Sequence, residues 1–73
     1  MEYVLKTSGL MCAHCDAKAE AALLNLEGVV EADADHTEQT VRVECESTVD
    51  PSDLAAAVRG ASSTFDVLSV EEA

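Results

Sequence analysis

The sequence predicts an α+β fold in which two helices lie on one face of a single four-stranded antiparallel sheet, in the order strand, helix, strand, strand, helix, strand. Three observations predict it. Three stretches alternate in polarity and a fourth, at the end, reads as a strand; two others repeat apolar residues at helical spacing, and 73 residues are just enough for six short elements with tight connections.

Residues 2–7 place Tyr3, Leu5 and Thr7 on one face and Val4 and Lys6 on the other, as in a half-buried strand, and Ser8-Gly9 breaks it. From Cys15 onward, Ala19, Ala22, Leu23 and Leu26 recur at spacings of three and four, while Asp16, Lys18, Glu20, Asn25 and Glu27 fall elsewhere. That is an amphipathic helix, expected to end at Gly28. Over residues 29–35, Val30, Ala32 and Ala34 share one face and Glu31, Asp33 and Asp35 the other; over 40–46, Val41, Val43 and Cys45 point inward. His36-Thr37-Glu38-Gln39 is then a hairpin turn. Asp50-Pro51-Ser52-Asp53 starts a second helix, with an Asp cap, Pro at the first helical position and an acid in the first turn. It is expected to run to about Arg59 and to bury Leu54 and Val58 among Ala55, Ala56 and Ala57. Residues 60–64 form a small-residue loop, 65–70 the last strand, and 71–73 are expected to fray. This order is the ferredoxin-like pattern.

A chain of this length buries only about 60% of the surface that its unfolded form exposes. With Tyr3 and Phe65 as the only aromatics, the core must be Ala, Val and Leu in thin layers, able to position a loop but not to enclose a large substrate. Fifteen acids against four bases give a net charge of −11, which argues against nucleic acid and anionic membranes as partners. Residues 27–53 carry nine of those acids against Arg42 alone, a solvated face or a docking face for a basic partner. No apolar run approaches the roughly 18 residues of a membrane span, and the first residues lack the pattern of a signal peptide, so a soluble cytoplasmic protein is expected. Three cysteines, two of them as Cys-x-x-Cys, suit metal or redox chemistry in a reducing compartment better than a disulfide framework.

The stretch Gly9-Leu10-Met11-Cys12-Ala13-His14-Cys15 lies between the first strand and the first helix. Together with Ala22-Leu23, Leu26-x-Gly28-Val29, Thr40-Val41-x-Val43 and Val49-x-Pro51-x-x-Leu54, it makes residues 1–73 resemble a single heavy-metal-associated domain. That family includes small copper chaperones and the N-terminal metal-binding modules of copper-transporting P-type ATPases and mercuric reductases. The resemblance implies that Cys12 and Cys15 hold the metal, and that a metal-transporting P-type ATPase or a similar Cys-x-x-Cys domain is the partner. Three departures stand out: Leu10 replaces the family's usual Met after the loop glycine, with Met11 one place later; the segment from Val58 to Phe65 is about two residues longer; and Cys45 stands where relatives carry a large side chain.

Thiolates, not thiols, bind metal. Cys15 at the start of the helix is expected to be the more readily ionised sulfur, stabilised by free N–H groups and the helix dipole, and Cys12 the more mobile. Two soft sulfurs favour Cu(I), whereas Zn²⁺ generally takes four ligands; Zn²⁺, with Asp16 lending an oxygen, and Hg²⁺ are the alternatives. His14 is a candidate third ligand, in particular across a metal-bridged dimer, and points to solvent in the monomer. The topology puts the hairpin and the start of the last strand at the cysteine end. His36 is therefore expected to be a solvated turn residue near the site, and Phe65 either a shield for the metal or a plain core residue. Cys45 belongs at the far end as a buried hydrophobe.

The function expected from these residues is Cu(I) binding and hand-over without breaking any substrate bond, so no enzyme. A small thiol–disulfide oxidoreductase is the competing class, but no Trp precedes Cys12 and Pro51 reads as a helix start. A sensor or a module of a larger transporter is the third.

Overall fold

The computed structural model describes residues 1–72 and contains β1 (Glu2–Ser8), α1 (Ala13–Leu24), β2 (Val29–Asp35), β3 (Thr40–Cys45), α2 (Pro51–Ala61) and β4 (Asp66–Glu72). The strands pair antiparallel in one sheet, in the order β2-β3-β1-β4. Both helices pack on one face of it, α1 against β2 and α2 against β4, and they touch each other. This is the expected ferredoxin-like arrangement.

The core follows from the alternation of β1. Tyr3, Leu5 and Thr7 are buried; Tyr3 lies opposite Val43 and Leu5 opposite Val41 on β3. Leu23 of α1 and Leu54 and Val58 of α2 close over them with no exposed surface. α2 starts as its sequence dictates: Asp50 accepts the Ser52 N–H at 2.9 Å, Pro51 takes the first helical position, and Arg59 at the other end donates to Asp66 and to the Val67 carbonyl.

The elements differ from expectation in several details, among them the start of β4 at Asp66 instead of Phe65. Val30 does not face inward: Val29 lies opposite Cys45 and Glu31 opposite Glu44, so Val30 is the extra residue of a β-bulge and is about half exposed. Val29 takes its place in the core. α1 stops at Leu24, before Gly28, because Leu26 leaves the helix in a tight turn, its N–H on the Leu23 carbonyl, and packs its side chain against the core. Gly28, at φ +94°, then carries the chain into β2 against Ser47, where a Cβ would lie 2.8 Å from the hydroxyl oxygen. α2 continues through Gly60 to Ala61, where Ser62 turns extended, since Gly60 keeps an ordinary helical backbone. Glu71 and Glu72, expected to fray, pair with Val4 and Tyr3, and a second bulge at Leu68 shifts the register of β4. Ala73 lies outside the described residues.

Candidate metal centre

The loop between β1 and α1 is shaped first by Gly9. Its φ of +91° turns the chain off β1, and a Cβ there would collide with the Thr64 carbonyl, so only glycine lets the loop lie on the start of the Thr64–Phe65 segment. Leu10 then dives into the core at 3% exposure while Met11 points out at 79%. Leu10 thus supplies the apolar plug, one residue before the place of Met11. Cys12 is fully extended and forms the N-cap of α1, its carbonyl accepting the Asp16 N–H at 3.1 Å. Cys15, three residues on, lies in the first turn and packs partly against the core. The two sulfurs are 4.0 Å apart, and both thiols are free, Cys12 exposed and Cys15 half-buried.

The helix end acts on Cys12. The side chain of an N-cap residue overlies the unpaired N–H groups of the second and third helical residues, here His14 and Cys15. Short of forming a regular capping hydrogen bond, the N–H groups of Cys15 and then His14 pull the Cys12 thiol below its ordinary pKa, helped by the Cys15 thiol and by His36. Helical spacing alone puts Cys15 at the helix start and Cys12 on the loop, because cysteine is not among the usual cap residues.

The remaining candidates separate clearly. His14 is exposed and hydrogen-bonds to no side chain among the described residues. Phe65 is buried at 5%, with its backbone against Gly9. Cys45 is buried at the far end of β3, where its backbone exchanges hydrogen bonds with Met1, and burial pushes its thiol pKa up. Among the described residues no group of three or more His, Cys, Asp and Glu side chains is placed to hold a metal ion, so the thiol pair stands alone.

His36 lies in the turn and is partly solvated as expected, but its ring is not free. Its Nδ1–H donates to Asp16 Oδ2 at 2.6 Å, across from the β2–β3 turn to the residue after Cys15, and this bond raises the imidazole pKa against a partial loss of hydration. One oxygen of the Asp16 carboxylate is thereby committed to the hairpin, and the other, Oδ1, is buried without a hydrogen-bond partner among the described residues. Gln39 escaped the sequence reading altogether. Its Oε1 accepts the Leu10 N–H at 3.2 Å, and its Nε2 donates to the Leu10 carbonyl and, at 2.6 Å, to the His36 carbonyl. The one signal was its place at the end of a four-residue turn, where a residue is free to reach across to the loop.

Among the described residues no helix is long and apolar enough to cross a membrane. No match was found among curated protein sequences. Among solved structures, the chain is similar to the CopZ metallochaperone, with 30% identity and a TM-score of 0.84 over 93% of this chain and 100% of that one. It is also similar to a copper-binding domain from a P-type ATPase, with 26% identity and a TM-score of 0.81 over 99% and 100% of the two chains. A heavy-metal-binding protein from Thermotoga maritima aligns over the full length of both chains at 27% identity and a TM-score of 0.77. The model of the heavy-metal-associated domain matches residues 4–64, and the chain belongs to that family.

Proposed function

We propose that Cys12 and Cys15 bind Cu(I) as a two-sulfur centre and pass it to a partner with a similar Cys-x-x-Cys loop. One observation carries this reading: two free sulfurs 4.0 Å apart at the tip of an accessible loop, a gap that an ion with bonds of about 2.3 Å to each sulfur can bridge. The donor set selects the ion. Soft thiolates suit Cu(I), while Zn²⁺ would need two further ligands, and among the described residues no third His, Cys, Asp or Glu is placed to join the pair. Hg²⁺ is equally soft and competes for the same pair.

Hand-over follows from the coordination number. A centre with two ligands leaves room for an incoming thiolate, so donor and acceptor sulfurs exchange one by one around the ion and no substrate bond is broken; the protein acts as a carrier, not an enzyme. The likeness to a metallochaperone and to a P-type ATPase domain supports a metal-transporting P-type ATPase or one of its metal-binding domains as the partner. A net charge of −11 would speed encounter with a basic docking face. Thiols that must stay reduced to work place the protein in the cytoplasm. The exposure of Cys12 and His14 also allows two copies to share one ion, with His14 as the added donor.

The test is titration of the reduced protein with Cu(I) against a competing chelator, with Cys12→Ser and Cys15→Ser alongside. Both variants are expected to lose tight binding; binding equal to the parent protein in either would refute the reading. Mass spectrometry with Cu(I), Zn²⁺ and Hg²⁺ in competition then identifies the preferred ion and shows whether the loaded protein is a monomer or a bridged dimer.

A further inference from the structure

The turn between β2 and β3 is joined to the thiol loop by bonds that neither needs for its own secondary structure. Gln39 reaches both ends of the bend at Gly9: its backbone carbonyl accepts the Thr7 N–H at 2.8 Å, and its carboxamide takes the N–H and the carbonyl of Leu10 as a neighbouring strand would. His36, three residues earlier in the same turn, holds Asp16 on the other side of the thiols. Asp16 in turn donates its backbone N–H to the Cys12 carbonyl. The loop is thus tied to one short turn on both sides of Cys12 and Cys15, through the backbone of Leu10 before them and the side chain of Asp16 after them, and the third carboxamide bond, to the His36 carbonyl, braces the turn itself.

A second observation points the same way. Gln39 has a φ of +53°, the one left-handed residue other than glycine among those described. Gly or Asn adopts that backbone at lower cost, and strain of this kind persists where the side chain serves a purpose that the cheaper residue could not. Glycine has no carboxamide, and asparagine is one methylene too short to span to Leu10.

We propose that Gln39 and His36 are positioning residues for the thiol pair, fixing the loop backbone so that the two sulfurs are presented at a separation ready for the ion. The proposal rests on the reading that Cys12 and Cys15 bind Cu(I). With only two ligands to hold the ion, the cost of ordering the loop falls on binding unless supporting groups in the fold have already met it.

The experiment measures Cu(I) affinity by chelator competition, together with amide exchange over residues 10–16, in Gln39→Gly, Gln39→Asn and His36→Ala. Both replacements at position 39 accept the left-handed backbone and keep the fold, which circular dichroism checks; Gln39→Asn serves if the glycine variant does not fold. Each is expected to bind Cu(I) about ten- to a hundredfold more weakly, as removal of supporting groups around metal ligands commonly does, with faster exchange in the loop. His36→Ala changes both in the same direction. Val43→Ala, a cut in the core on the far half of β3, controls for plain instability: it lowers the melting temperature and leaves affinity alone. Cys12→Ser separates the two claims. If it binds as the parent does, the thiol reading and this proposal both fall; if it loses binding while both position-39 variants keep parental affinity, the positioning role alone is overturned.

Discussion

The two ends of the sheet hold the same functional group in opposite surroundings. At one end Cys12 is exposed over the start of α1, and unpaired N–H groups lower its pKa. At the other, Cys45 is walled in by the core and its pKa is raised. A thiol's reactivity is therefore set by what surrounds it, and in this small fold a strand's length is enough to separate a reactive sulfur from an inert one. The ends also differ in how they are held. The far end is packed apolar surface, Tyr3 on Val43 and Val29 on Cys45. The loop end is held by polar reach between distant segments, Gln39 to Leu10 and His36 to Asp16.

The sharpest way to break this contrast is to exchange sulfur for other groups at each end. Cys12→Ser and Cys15→Ser are expected to abolish tight Cu(I) binding, whereas Cys45→Ala leaves it intact, as chelator competition would show. Next in size, Leu5→Ala removes a fully buried side chain beneath both ends and is expected to cost about 2–5 kcal/mol in denaturant unfolding. Thiol alkylation under native conditions, followed by mass spectrometry, should label Cys12 well before Cys45, which reacts only as the protein unfolds; equal rates would erase the difference argued above.

The smallest effect concerns His36. Because Asp16 raises its pKa in the folded chain, the pair adds stability that is fully present below the unfolded value near 6.5 and is lost as pH rises through the higher folded value. Asp16→Asn is expected to bring the His36 midpoint down in an NMR titration and to flatten that part of the stability profile. With 37% of the His36 side chain exposed, water screens the pair and keeps the gain modest.

Local pattern in the sequence was enough to place all six elements, because each rests on neighbours within a few residues: the alternation of Tyr3, Leu5 and Thr7, the spacing of Ala19 and Leu23, the Asp50-Pro51 start. What it missed depends on longer reach. A bulge at Val30 leaves the composition of β2 unchanged and appears only in how the strand meets β3. The bond from Gln39 to Leu10 joins residues 29 apart, and a polar residue in a turn looks the same whether it faces water or another loop. For the candidate site, the sequence put Cys12 and Cys15 together beside the first helix and set Cys45 apart, yet missed that Cys12 is the cap of α1. The cap turns on a one-residue question, whether the helix begins at Ala13 or later, which is where periodicity is weakest.

The bulges bear on how the protein meets its own kind. β2 and β4 are the open margins of the sheet, and such margins invite another chain to add a strand. Here each is bent by a bulge, at Val30 and Leu68, and lined with acids: Glu31, Asp33 and Asp35 on one side, Asp66, Glu71 and Glu72 on the other. Strand addition at either margin would crowd like charges along a misaligned ladder. Crowded copies are thereby kept from zipping into fibres.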